Sequence, residues 1–203
     1  MISYPTRYSH GRKADLPTLP DLANTVLVIW ISSQDITYFN DQTAKWMKLV
    51  KQAKDSLILF AEDIAVSLDL HPVGMTEEAI KHLSDTYDMV SGDQVIRMAE
   101  FLQRHPDDSI HFACSAGVSR SGFGHFFLDV MNNKLEDVYA DKTEDIVKIN
   151  GELYTGKLDV TSRVKHYMPN SEYVRLAVEL GYIDPEVINA LPSRPPMKQT
   201  ISF

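Results

Sequence analysis

The chain has 203 residues, 44% of them hydrophobic and 24% charged, a balance that suits a folded domain with its own core and excludes a disordered or collagen-like chain. Its 20 Lys and Arg against 28 Asp and Glu leave a formal charge of −8, the wrong sign for a protein that draws its affinity from nucleic-acid phosphates or an anionic membrane. The single cysteine excludes an intrachain disulfide and a Cys-rich zinc site, so the composition reads as cytoplasmic, with a thiol that is either a buried hydrophobe or a nucleophile.

Residues 1–20 are polar, with Arg7, Arg12 and Lys13 scattered among Pro5, Pro17 and Pro20, and show no secretory-signal pattern. Residues 1–24 read as an N-terminal arm. Thr25–Ile31 is a run of β-branched and aromatic residues bounded by Asn24 and Ser32, which predicts a strand buried on both faces and the first of the sheet. It is far too short to span a bilayer. Between residues 41 and 54, Ala44, Met47 and Val50 recur at helical spacing among lysines, so an amphipathic helix is expected there. Residues 56–61 read as a second buried strand. Thr76, Glu77 and Glu78 before Ala79, Ile80 and Leu83 suggest a capped helix start.

Ser91 followed by Gln94 has capping-box spacing, and Val95, Met98, Ala99 and Leu102 behind it form one apolar stripe. After the turn residues Pro106, Asp107 and Asp108, the segment 109–113 predicts a strand that runs into Cys114. Phe123, Phe126, Phe127, Val130 and Met131 then recur at helical spacing, placing a helix start near Arg120 or Ser121. A strand feeding a helix through a short loop points backbone N–H groups at one spot with the helix dipole behind them, which makes an anion-binding nest. The fold class expected is α/β, a central, mostly parallel sheet flanked by helices over residues 25–191, with residues 192–203 a loose proline-rich tail.

The loop reads Cys114, Ser115, Ala116, Gly117, Val118, Ser119, Arg120, Ser121. A cysteine attacks as its thiolate, and the junction of a strand end with a helix N-terminus, with a guanidinium close by, is electropositive as that requires. Gly117 lets the loop turn tightly and approach a ligand, Arg120 offers a planar fork matched to two phosphoryl oxygens, and Ser121 is placed to hydrogen-bond a departing sulfur.

Cys114, Gly117, Arg120 and Ser121 resemble the Cys-x-x-Gly-x-x-Arg-Ser/Thr signature of the cysteine-dependent phosphatases, in the tyrosine and dual-specificity branch. The segment from His82 through Phe127, and Met168-Pro169-Asn170 before Tyr173, look like compact bacterial and phage members of that group. The resemblance implies a tyrosine/dual-specificity phosphatase-like fold and a hydrolase acting through a phosphocysteine. It implies a phosphate held by the loop amides of Ser115, Ala116, Gly117, Val118, Ser119 and Arg120, and an upstream Asp protonating the leaving alcohol. Asp85 lies at a separation before Cys114 like the family's and is the first choice for that acid, with Asp88 and Asp63 as alternatives. One departure stands beside the loop: the family's usual His before the nucleophile is Ala113 here, and His111, which alternates to the other side of the strand from Phe112, reads as a core or surface histidine.

The substrate implied is a phosphorylated protein or a small phosphomonoester, with no cofactor, nucleic acid or membrane. Phosphotyrosine, phosphoserine and non-protein phosphates stay open. A phosphate-binding module without turnover is the alternative, and a thiol-dependent arsenate reductase is a third reading that would need an external thiol. The seven histidines show no zinc-binding spacing, so no metal is expected. Asp141, Glu144 and Asp145 read as a solvated helix face. Trp30 and Trp46 are expected in the core and His125 exposed, while Lys157, Arg163, Lys165 and His166 are expected in a solvated loop.

Overall fold

Four strands pair in parallel in the spatial order β1-β4-β2-β3: β1 (Arg7–Arg12), β2 (Thr25–Ile31), β3 (Asp55–Phe60) and β4 (Ser109–Cys114). The computed structural model describes residues 2–32, 35, 41–62, 90–141, 146–149, 152–155 and 159–193. The two central strands are β2 and β4, and β2 is buried at every position, as its continuous apolar run predicts. Alternation sends Val26, Val28 and Trp30 to one face of the sheet and Leu27, Ile29 and Ile31 to the other. In β4 the same rule puts Ile110, Phe112 and Cys114 on the first face and Ala113 on the second.

Two expectations for the sheet are corrected. The sheet begins at Arg7 rather than Thr25, because Arg7–Arg12 pairs with β4 along its whole length, from Arg7 opposite Ser109 to Arg12 opposite Cys114. Part of the predicted arm therefore belongs to the sheet, as an edge strand whose half-exposed position tolerates polar side chains. At the other edge, residues 56–61 are only partly covered: Leu59 and Ala61 are buried, but Phe60 is 46% exposed.

Helices cover both faces, giving an α/β architecture with a four-stranded parallel sheet. Helix α1 (Asp41–Val50) packs Trp46 and Val50 on the second face together with Leu16 from the 3₁₀ turn Lys13–Thr18, and leaves Lys45 and Lys48 exposed. On the first face lie α2 (Gly92–Gln103), α3 (Arg120–Met131), α4 (Ser171–Glu179) and α5 (Pro185–Ala190). The stripe Val95, Met98, Ala99 and Leu102 is fully buried there, as are Phe123, Phe126 and Phe127, each of the side chains larger than alanine contributing about 1.5–3 kcal/mol. Gly124 sets how closely α3 lies on β4, since a Cβ there would stand 2.3 Å from Cδ1 of Phe112.

The Ser91–Gln94 cap does more than start α2. The Ser91 amide donates to Gln94 Oε1 at 3.3 Å, and the same oxygen accepts the Tyr173 hydroxyl at 2.6 Å. That hydroxyl accepts Trp30 Nε1–H at 2.8 Å, while the Gln94 amide donates to the Phe60 carbonyl. One relay thus joins β2, β3, α2 and α4, buried at Trp30, Tyr173 and Gln94 and reaching toward the surface at Ser91 and Phe60.

Beyond α3 the chain forms antiparallel ribbons: β5 (Val138–Asp141) pairs with β8 (Asp159–Ser162), and β6 (Ile146–Ile149) with β7 (Glu152–Thr155). These two ribbons are separate two-stranded sheets, and the dipeptide between the paired Ile149 and Glu152 lies outside the described residues. Asp141 is therefore in a strand and not on a helix face, while Glu144 and Asp145 lie outside the described residues. The first two residues of the expected loose tail are tied down, because the Pro192 carbonyl accepts the Ala140 amide at 3.1 Å and Ser193 bridges to Ala140. The helix start expected at Thr76 falls outside the described residues, as do residues 194–203.

Candidate active site

Strand β4 ends at Cys114, α3 begins at Arg120, and five residues turn between them. Cys114 is fully buried on the face that carries Phe112. Among the described residues its Sγ has two polar neighbours, the Gly117 amide that donates to it at 3.2 Å and the Ser121 hydroxyl at 3.2 Å. The amide donates to the sulfur, and the hydroxyl, which can donate or accept in this contact, has a proton to offer it. Gly117 makes the turn possible on two counts: its φ is +74°, and a Cβ would stand 2.8 Å from both the Arg12 nitrogen and the Gly11 carbonyl carbon. The loop is thereby seated on the C-terminal end of β1.

Its outer side is held as well. Met168 N–H donates to the Val118 carbonyl at 3.3 Å, and Asn170 N–H to the Ser119 carbonyl at 3.2 Å. Asn170 then caps α4, its side chain accepting the amides of Glu172 and Tyr173. Arg120 is 3% exposed, and its Nη1 donates to the Ala61 carbonyl at 2.5 Å, just past the end of β3. The guanidinium is held across the end of the sheet by that bond.

A second cation approaches the same place. Lys13, directly after β1, is buried, pairs with Asp35 and lies 5.2 Å over the Trp46 ring. Burial pushes its ammonium below the ordinary lysine value, the Asp35 contact works against that, and the Arg120 guanidinium adds to the lowering. Burial alone would raise the Asp35 carboxyl, but Lys13 and the Ser32 amide and hydroxyl, at 2.8 and 3.0 Å, outweigh it and hold the group below its usual range. Nothing local marks Lys13 in the sequence, where it stands in a polar, proline-containing stretch.

Cys114, Ser115, Ala116, Gly117, Val118, Ser119, Arg120 and Ser121 thus come together at the carboxyl ends of the strands, where open α/β sheets bind ligands. Asp85, Asp88 and Asp63 lie outside the described residues. His111 is buried on the face opposite Cys114, its Nδ1 2.9 Å from Ser9 Oγ, and burial pushes it down to about 4. It is a core histidine and does not take the place of the residue before the nucleophile.

Other expectations change. His125 is 7% exposed, packed among Tyr8, His10 and Tyr167, because α3 turns it toward β1 and not to solvent. Lys165 turns inward to Asp129 at 2.7 Å, whereas Arg163 and His166 are exposed as expected and Lys157 lies outside the described residues. A cavity of about 450 Å³ opens at the opposite end of the strands, beside Thr25 and Ser109, and is no part of this site.

No protein-family model matches the chain, and neither does a curated protein or a solved structure. Among the described residues no helix is long and apolar enough to cross a membrane. No three His, Cys, Asp or Glu side chains among them are grouped to hold a metal ion. The chemistry of the Cys114 loop has to be read from its own residues.

Proposed function

We propose that the protein is a cysteine-dependent phosphatase of the tyrosine and dual-specificity kind, hydrolysing phosphomonoesters through a phosphocysteine. The observation that carries this reading is the Cys114 sulfur, buried at the base of a strand-loop-helix turn, with the Gly117 amide and Ser121 hydroxyl at 3.2 Å and Arg120 heading the helix. That arrangement puts a nucleophile, main-chain donors and a cation around one point.

In the first step Sγ bonds to phosphorus as the bond to the leaving oxygen breaks, and a carboxylic acid gives that oxygen its proton. The loop amides from Ser115 to Arg120 and the Arg120 fork hold the three equatorial oxygens. Water then attacks phosphorus, the carboxylate takes the water's proton, and the P–S bond breaks, with the Ser121 hydroxyl donating to the departing sulfur. Asp85 is assigned the acid role from its position in the sequence. Asp88 and Asp63 are the alternatives to test beside it, Asp63 because Arg120 holds the carbonyl of Ala61, just before Glu62 and Asp63 in the chain. The substrates proposed are cytoplasmic, a phosphorylated protein or a small phosphomonoester.

The test is phosphate release from p-nitrophenyl phosphate. The wild type turns over, and Cys114→Ser falls by at least about a thousandfold while keeping its far-UV circular dichroism. Of Asp85→Asn, Asp88→Asn and Asp63→Asn, the variant that removes the acid loses most on an alkyl phosphate, whose leaving group needs the proton, and least on p-nitrophenyl phosphate. Absence of turnover in a wild type that still binds phosphotyrosine would replace the enzyme with a binding module.

A further inference from the structure

Behind the loop lies a buried polar cluster that the proposed reaction does not use. The Asp129 carboxylate on α3 has no exposed surface and takes three donors. The Tyr8 hydroxyl from β1 and the Lys165 ammonium reach Oδ1 at 2.8 and 2.7 Å, and the Tyr167 hydroxyl reaches Oδ2 at 2.8 Å. His125 Nε2 stands 3.9 Å from the same carboxylate, too far for a hydrogen bond, and its Nδ1 faces His10 Nδ1 at 2.8 Å. A carboxylate this deeply buried is costly unless its lone pairs are met. Two of the three donors that meet them come from one segment, the stretch before α4. Burial and the neighbouring carboxylate push both phenols well above their usual range, so they stay O–H donors.

The same segment runs directly onto the loop. One residue past Tyr167, the Met168 amide holds the Val118 carbonyl, and the Asn170 amide holds the Ser119 carbonyl. Gly122 permits the approach, since a Cβ there would stand 3.1 Å from Cβ of Tyr167. Each peptide unit is planar and trans, so the carbonyl of one residue and the amide of the next point in opposite directions. Fixing the Val118 carbonyl outward therefore aims the Ser119 amide inward, toward the place where an oxyanion would sit. The Ser119 carbonyl is shared between the Asn170 amide and the Phe123 amide of α3 at 2.8 Å, so the helix start also aims the Arg120 amide.

We propose that Asp129 and Tyr167 are positioning residues of the anion site: through residues 165–170 they lock the peptide plane that presents the Ser119 amide and brace the next one, which presents the Arg120 amide and is also held by α3. The inference rests on reading the Cys114 loop as an oxyanion site.

Tyr8 and Tyr167 supply the test, because each gives Asp129 one O–H bond of 2.8 Å but only Tyr167 belongs to the segment that touches the loop. Orthovanadate affinity and urea stability are measured on the full chain for Tyr167→Phe and Tyr8→Phe. The expected result is a vanadate affinity reduced about tenfold in Tyr167→Phe and within twofold of wild type in Tyr8→Phe, at comparable losses of stability. Equal affinity losses in the two variants, or a stability loss in Tyr167→Phe with vanadate binding intact, would overturn the proposal. If Tyr167→Phe does not fold, Lys165→Met, which removes the other tether from the segment, must show the same loss of affinity. A wild-type chain that binds no vanadate refutes the oxyanion site itself, and the positioning role with it.

Discussion

Gly117→Ala puts the seating of the loop to a quantitative test. At a φ of +74° an alanine pays about 1–2 kcal/mol for the left-handed backbone alone. Its methyl would also stand 2.8 Å from the Arg12 nitrogen and the Gly11 carbonyl carbon. Both are backbone atoms of β1 that cannot rotate away, so the loop or the strand must shift, an overpacking cost of about 1–3 kcal/mol. Gly181 provides the control: it has the same φ of +74°, following α4, but nothing lies within 4 Å of its added Cβ. Gly181→Ala therefore carries only the backbone cost.

Urea unfolding followed by tryptophan fluorescence should show Gly117→Ala less stable than Gly181→Ala by about 1–3 kcal/mol, a further ~2–4 °C in Tm for each kcal/mol in a domain of this size. Orthovanadate binding should weaken in the first variant and hold in the second. Equal destabilisation, with vanadate affinity unchanged in both, would show that the loop does not rest on the end of β1.

Three further outcomes are expected. Ser121→Ala removes the hydroxyl 3.2 Å from the sulfur; loss of a hydrogen bond to a charged leaving group of about 1.5–3 kcal/mol corresponds to roughly 10–150-fold slower breakdown of the phosphocysteine, seen as a larger burst-to-steady-state ratio in rapid-quench kinetics. Lys13→Met leaves the partly exposed Asp35 carboxylate to the Ser32 amide and hydroxyl, a loss of about 1–3 kcal/mol; urea denaturation of Lys13→Met/Asp35→Asn should recover most of that loss, and a purely additive double variant would deny the coupling. His111 is held at about 4 against an ordinary 6.5, so between those values the unfolded chain binds a proton that the folded one refuses. Its contribution to stability is complete above pH 6.5 and lost as pH falls toward 4, about 3 kcal/mol in all. Urea midpoints of His111→Gln should decline less steeply with acid than the wild type's, and parallel curves would contradict the buried neutral histidine.

Where a local pattern carried the physics, it was legible without coordinates. Thr25–Ile31 is apolar at every position because a central parallel strand has no face in water. Ser91 and Gln94 announce α2 because a cap is a contact between near neighbours in the chain. The order of strand, loop and helix around Cys114 was readable for the same reason, and so was the clustering of Gly117, Arg120 and Ser121 with it. By contrast, Arg7–Arg12 has no strand pattern. It is a strand because its backbone pairs with β4, and Tyr8 and His10 are tolerable there because Asp129 and His125 on α3 meet them.

The chain's own order of residues therefore decided the α/β class, the place of the cysteine and the turn that surrounds it, since those follow from periodicity and from neighbours within a few residues. Tertiary structure alone decided that Lys13 and Asp35 pair beside the loop, that β1 supports Gly117, and that Asp129 anchors the segment behind Val118 and Ser119. Those contacts join residues far apart in sequence, and the burial that gives a lysine or an aspartate its weight comes from the packed whole.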